Sequence, residues 1–310
     1  MTGFFDGHAD TVFRIYDEGG SLNSENFHIT ANDLKKYDKY IQVFAAFIDK
    51  NDCKFTPIKH ALTLIDKYYE EIEKNHITPI LTKEDLINAN KTGGVSSILS
   101  LEGGEMLDGS LSVLSAYYRL GVRLITLTWN YSNELADGIL EGRGGGLTDF
   151  GCEAVKAMEN LGIVIDVSHL SERGFWDVVK CTKNPFVASH SCVKSICSHP
   201  RNLNDEQIKE MIKRKCVIGI NYYPQFLDNS GICGFEKIAE HIEYILNMGG
   251  EDVVALGSDF DGVDSLPDGI SGACDMYKLP EYLKARGFSE KIINKICFEN
   301  LYNLFYRVLR

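Results

Sequence analysis

Eight short apolar runs punctuate the chain, at residues 4–8, 41–48, 96–101, 122–128, 163–168, 186–189, 217–221 and 253–258. Most are rich in β-branched or aromatic side chains, and their length and chemistry are those of buried strands. The stretches between them are patterned for helices. Residues 57–74 open with Pro57, whose missing N–H is no loss in a first helical turn, and carry Leu62, Ile65, Tyr69 and Ile72 at helical spacing. Thr148 and Asn204 stand as N-caps for helices over 149–161 and 204–214. A strand that leaves through a helix returns parallel, so the alternation predicts an α/β fold with a parallel sheet. Eight such units in 310 residues predict a (β/α)8 TIM barrel, with a doubly wound open sheet as the rival arrangement. No Pro- or Ser-rich linker divides the chain, which predicts a single domain over 1–310. Residues 289–310 read as a C-terminal helix, and its stripe of Ile293, Ile296, Leu301 and Leu304 is expected to pack on the barrel or on a partner subunit.

Charge and cysteine usage narrow the function. Thirty-two Lys and Arg against 44 Asp and Glu leave a formal charge of −12, which opposes a phosphate-binding surface and predicts no nucleic-acid partner. A 44% hydrophobic and 25% charged composition is that of an ordinary globular protein, neither disordered nor held by disulfides. The nine cysteines, at 53, 152, 181, 192, 197, 216, 233, 274 and 297, contain no CxxC pair and read as reduced structural residues. The opening MTGFFDGHAD has no basic stretch leading into an apolar one, and no window reaches the roughly 18 apolar residues of a membrane span. A cytoplasmic protein without a membrane partner is the expectation.

The chemistry sits where the runs end. His8 and Asp10 stand two apart at the end of the first run, so both side chains point to one side, as two ligands of one ion must. Glu102 ends the third run before a pair of glycines, His169 the fifth, His190 the sixth, and Asp259 the eighth. Each has a structural reading of its own, as a hydrogen-bonded histidine or a solvated carboxylate. Five strand ends delivering three imidazoles and three carboxylates to the catalytic end of one barrel instead predict a metal site. With no thiolate in the set, Zn2+ or another borderline divalent ion in a hydrolytic site is expected. Six ligands exceed one tetrahedral site and fit two ions sharing a carboxylate and a water; Glu102 is the natural bridge and Asp259 is placed as general base and acid.

In this order and spacing, GHAD (7–10), SLEGGE (100–105), TLTWN (126–130), IDVSHLS (165–171), ASHS (188–191), HPRN (199–202) and GSDFDG (257–262) resemble the membrane (renal) dipeptidase family, peptidase family M19. That family comprises binuclear zinc peptidases among the metal-dependent hydrolase barrels, and the likeness runs from about residue 3 to 264. It implies two Zn2+ per chain, His8, Asp10 and Glu102 on one and Glu102, His169 and His190 on the other, with Asp259 beside a bridging water or hydroxide. It also implies that Arg201 holds the terminal carboxylate of a dipeptide substrate, where a solvated loop charge would be the plain reading. Tyr223 is a pocket wall by the same analogy, and a homodimer is the implied assembly. Trp129 departs from the pattern: animal members carry there a histidine that contacts the tetrahedral intermediate, whereas an indole donates one hydrogen bond and cannot become a cation.

The expected function is a metallo-dipeptidase that hydrolyses small peptides through the metal-bridging hydroxide. The departure at Trp129 keeps two other readings open: a barrel hydrolase of cyclic amides or lactones or a deaminase, and a metal-binding relative without turnover. GRGGG (142–146) lacks the Lys-Ser/Thr of a phosphate loop and reads as a βα connection. His28, His60, His76, His199 and His241 lie away from strand ends and are expected not to be ligands.

Overall fold

In the computed structural model, which describes residues 3–49 and 56–310, eight parallel strands close into a ring. They are β1 (Phe4–Asp6), β2 (Lys39–Phe47), β3 (Gly94–Glu102), β4 (Val122–Thr126), β5 (Val164–Asp166), β6 (Val187–Ala188), β7 (Val217–Ile220) and β8 (Val254–Leu256). Each pairs with the next in sequence. Asp6 of β1 pairs with Leu256 of β8, which closes the barrel and excludes the open sheet. Cys53 lies outside the described residues.

The eight predicted runs are the eight barrel strands, although most ladders stop short of the run. One strand escaped the pattern. Thr78–Pro79 pairs with Ser96 and Ser97 of β3, below the point where β4 takes over that edge, and β3 shifts register between Leu99 and Ser100 there. Two residues containing a proline carry no periodicity from which such a strand can be read.

Helices lie outside the ring where the sequence pattern puts them. One spans Pro57–Lys74; another, Asp149–Leu161, is capped by Thr148 Oγ1, which accepts from Gly151 N at 2.9 Å; a third, Asp205–Arg214, starts with an Asn204–Gln207 capping box. No helix among the described residues is long and apolar enough to cross a membrane.

One end of the barrel is sealed with hydrocarbon. Phe5, Ile41, Val43, Ile98, Leu124, Val164, Val187, Val217 and Ala255, at least one from every strand, form one cluster inside the ring with Phe298, Leu301, Leu304, Phe305 and Val308. The C-terminal segment is therefore the floor of the barrel. It is the expected C-terminal helix, continuous over residues 290–308, with one irregular turn inside it. Helices Glu290–Asn294 and Asn300–Val308 flank a π-helical turn at Lys295–Glu299. That wider turn accounts for the five-residue step from Ile296 to Leu301 in the apolar stripe, which an unbroken α-helix would rotate away from the ring. Asn300 anchors it, donating to Glu251 O at 3.0 Å and Val254 O at 2.8 Å.

With the floor apolar, the opposite end, where the strands finish, is left for polar chemistry. Leu304 is fully buried in the floor, so Leu304→Ala is expected to destabilise the protein by about 2–5 kcal/mol in denaturant unfolding. Leu62→Ala, on the exposed face of the helix 57–74, should stay within about 0.5 kcal/mol.

Candidate metal centre

Six side chains from five strand ends meet at the mouth of the barrel, and all six are buried. His8 and Asp10 follow β1, with His8 Nε2 3.3 Å from Asp10 Oδ2. Glu102, the last residue of β3, divides its oxygens between two groups. Oε2 lies 3.1 Å from His8 Nε2, while Oε1 lies 3.1 Å from His169 Nε2 and 3.6 Å from His190 Nε2. Asp259 Oδ1 approaches His8 Nε2 at 4.0 Å. The ligand-type atoms of His8, Asp10 and Glu102, of Glu102, His169 and His190, and of His8, His190 and Asp259 each fall within 4.8 Å of one another.

The hydrogen-bond network shows why this set fits a cation. His169 Nδ1 donates to Asn130 Oδ1 at 2.8 Å. His190 Nδ1 faces Ser189 Oγ at 2.7 Å, and that hydroxyl gives its own hydrogen to Asp166 Oδ2 at 2.5 Å, so the imidazole is the donor. Both rings thus carry their hydrogen on Nδ1 and point bare Nε2 lone pairs at each other across 2.9 Å. Two lone pairs beside a carboxylate oxygen cannot satisfy one another, whereas a divalent ion between them satisfies all three. Asp10 Oδ1 is likewise buried without a hydrogen-bond partner.

Electrostatics agree. Burial pushes the Glu102 carboxyl up to about 7 and that of Asp259 up to about 6, with Asp10 adding repulsion and His8 opposing it. Burial alone would lower His8, but the facing carboxylates of Glu102 and Asp10 outweigh it and raise the imidazole well above its ordinary value. His169 and His190 are driven well below theirs by burial, reinforced by the positive charges of Arg201 and His8. The three carboxylates repel and two neutral imidazoles offer lone pairs, a balance that added positive charge would complete.

Residues that sequence reasoning passed over hold this arrangement. Asp6 and Asp166 end β1 and β5, which face each other across the ring, and act alike: Oδ1 of each accepts the backbone N–H two residues on and one from the end of a neighbouring strand, β8 for Asp6 and β6 for Asp166. For Asp6 these are His8 N and Ser258 N, and for Asp166, Ser168 N and Ser189 N. Their signal was present, since each is a lone charge inside an apolar run. Asn221, past β7, donates from Nδ2 to Asp259 Oδ2 at 2.8 Å. Asp259 and Asp261 both take left-handed backbone, with φ of 62° and 66°, and Asp261 is held by Thr11 Oγ1 at 2.6 Å, His28 N at 2.7 Å and Arg14 Nη1 at 3.1 Å. Gly262 cannot be larger, because a Cβ there would meet Asp10 Oδ2 at 2.2 Å and Asp259 Oδ1 at 2.5 Å.

The other candidates also reach the mouth. Arg201 is 5% exposed; it donates from Nη2 to His190 O at 3.1 Å, and its Nε has no partner. Among the described residues no carboxylate forms an ion pair with it, so it is not a solvated loop charge. Trp129, half-buried, lies 6.3 Å ring to ring from His169. Tyr223 packs on Phe226, and burial together with Asp264 and Asp259 raises its hydroxyl. The glycine-rich stretch spends the Gly145 amide on Asp137, at 2.6 Å, as part of the loop Arg143 ties down, and is no anion cradle. His28, His60 and His241 are engaged with backbone groups. A divalent ion at a hundredfold its Kd should stabilise the fold by about 2.7 kcal/mol, read as a rise in the thermal midpoint, and Glu102→Ala should remove most of that rise.

Comparison with known proteins bears on this centre. The profile of Membrane dipeptidase (Peptidase family M19) matches residues 2–310. An uncharacterized dipeptidase of Schizosaccharomyces pombe is 34% identical over 261 residues, covering 78% of this chain and 62% of its own, so the chain spans less than two thirds of that relative's length. A crystal structure described as the dipeptidase AC, a metallopeptidase of family M19, superposes with a TM-score of 0.91 at 26% identity, covering 99% of both chains. A metallopeptidase from Rhodobacter sphaeroides, solved with a phosphinate mimic of the dipeptide L-Ala-D-Ala, does so with a TM-score of 0.89 at 25% identity, again over 99% of both. With the family profile running from residue 2 to 310, the chain belongs to the membrane dipeptidase family, M19, of metallo-dipeptidases.

Proposed function

We propose that the protein is a binuclear zinc dipeptidase that cleaves the peptide bond of dipeptides bearing a free C-terminal carboxylate. The observation that carries this reading is the division of Glu102, one oxygen toward His8 and Asp10 and the other toward His169 and His190. His8, Asp10 and Glu102 would hold one ion, and Glu102, His169 and His190 the other. A pair of divalent ions, when bound, supplies a polarised carbonyl and a water acidic enough to attack it at neutral pH.

The chain's own groups do the rest. Asp259 has Oδ2 fixed by Asn221 and Oδ1 turned toward the ligand cluster, so Oδ1 is placed to take a proton from the attacking water and return it to the leaving amine. Arg201 presents a buried guanidinium that lacks a carboxylate partner, and the substrate's terminal carboxylate supplies one. Tyr223 walls the pocket beside Asp259. Trp129 cannot provide the cation that a histidine would, and offers one indole N–H and an apolar face at that position. The relative solved with a phosphinate mimic of L-Ala-D-Ala supports a substrate of this size.

Zinc-loaded protein is expected to hydrolyse Ala-Ala, and its carboxamide Ala-Ala-NH2 poorly. Asp259→Asn should lower kcat by about 10²–10⁴-fold, and Glu102→Ala should abolish turnover together with the two-ion stoichiometry measured by elemental analysis. Arg201→Met should raise KM by about 30-fold or more, the loss of one buried charged hydrogen-bonding group, with a smaller change in kcat. Activity confined to cyclic amides or lactones, or undiminished in Glu102→Ala and Asp259→Asn, would overturn the reading.

A further inference from the structure

Opposite Arg201 the mouth of the barrel is aromatic. Arg201 lies in the segment after β6 and is tied to His190 O. In a closed ring of eight strands, β2 stands four places from β6 in either direction, and the last residue of β2 is Phe47. Its ring meets Trp129 edge to face at 5.3 Å and Phe13 at 5.0 Å. Trp129 continues the row, 6.4 Å from Tyr131 on one side and 6.3 Å from the His169 imidazole on the other. Phe47 and Trp129 are half-buried and Tyr131 is 45% exposed, so this row borders the cluster without being sealed into the core.

A dipeptide has one direction in which to lie. If its carboxylate sits on Arg201 and its scissile bond on the cluster around Glu102, its N-terminal residue extends away from β6, toward the ends of β2 and β4. Phe47 at the end of β2 and Trp129 past the end of β4 are aromatic, and such faces take apolar side chains by area and aromatic ones also by edge-to-face packing. We propose that Phe47, Trp129 and Tyr131 form the subsite for the side chain of the substrate's N-terminal residue, and that the enzyme favours dipeptides that begin with a bulky apolar or aromatic residue. The inference rests on the dipeptidase reading and on the placement of the carboxylate at Arg201. It gives Trp129 a use that differs from that of the histidine it replaces, as packing surface instead of polar contact.

The test compares zinc-loaded protein on Xaa-Gly dipeptides, with Xaa as Gly, Ala, Leu, Phe or Lys, and on the mirrored Gly-Xaa series. Phe-Gly should exceed Ala-Gly in kcat/KM by about 10- to 100-fold, the discrimination available to an apolar pocket, and the mirrored series should span less. Trp129→Ala and Phe47→Ala should each compress the Phe-Gly to Ala-Gly ratio, whereas Trp129→Phe, which keeps a ring in place, should preserve most of it; thermal midpoints identify a variant that fails to fold. A flat series, one led by Lys-Gly, or a ratio unchanged in well-folded Trp129→Ala and Phe47→Ala overturns the subsite while dipeptide hydrolysis stands. Absence of hydrolysis on every dipeptide overturns the functional reading and the subsite with it.

Discussion

The Glu102 carboxylate joins two halves of a site that the barrel would otherwise keep apart. His8 and Asp10 arrive on β1, and His169 and His190 on β5 and β6, halfway round the ring. One carboxylate must touch both, so its position tolerates little error. The backbone supplies that accuracy. β2 and β3 pair over nine residues, and the final pair is Phe47 with Glu102. The longest ladder in the molecule therefore ends on the group that needs the firmest placement, and it sets Phe47 at the same height.

The histidines are held differently because their strands are short. β6 is two residues long and β5 three, too little ladder to aim a side chain. Asp166 makes up the difference. It receives backbone N–H groups from Ser168 and Ser189 and hydroxyls from Thr126 and Ser189, and so gathers the ends of β4, β5 and β6 around one carboxylate. A buried carboxylate with four hydrogen-bond donors is stable where an isolated one is not. Left-handed backbone at non-glycine residues recurs at this end, in His169, Asp259 and Asp261, and is also found away from it, at His76, Asp108 and Lys215. The floor at the other end is built mainly from buried hydrocarbon, with Asn300 tying its helical segment to Glu251 O and Val254 O.

Much of this was legible in the residues themselves. Strand burial writes itself as apolar runs, and a parallel barrel can only present chemistry at strand ends, so reading the residue after each run found His8, Asp10, Glu102, His169, His190 and Asp259 together. Supporting groups were harder to see, because their roles come from partners distant in sequence. Asn221 meets Asp259 across 38 positions, and Asp261 meets Arg14 across 247. No local pattern encodes such pairings. The π turn at Lys295–Glu299 was hidden for another reason: its mark is one five-residue step in a stripe that otherwise fits an ordinary helix.

The floor also bears on how the ring is made. β1 takes its place beside β8, across some 250 residues of intervening chain, and the cluster inside the barrel is covered by Phe298, Leu301, Leu304, Phe305 and Val308, which follow every strand in chain order, together with Ile80, Leu86 and Ala89 from the segment before β3. A chain emerging from its N-terminus can assemble β2 through β7 by neighbour pairing, yet the cover of its inner hydrocarbon is completed only when this later segment docks. Such long-range closure makes folding slow and leaves the half-built barrel sticky at one end. The residues that seal the floor are thus the last part of the barrel's cover to leave the ribosome, at the end opposite the mouth.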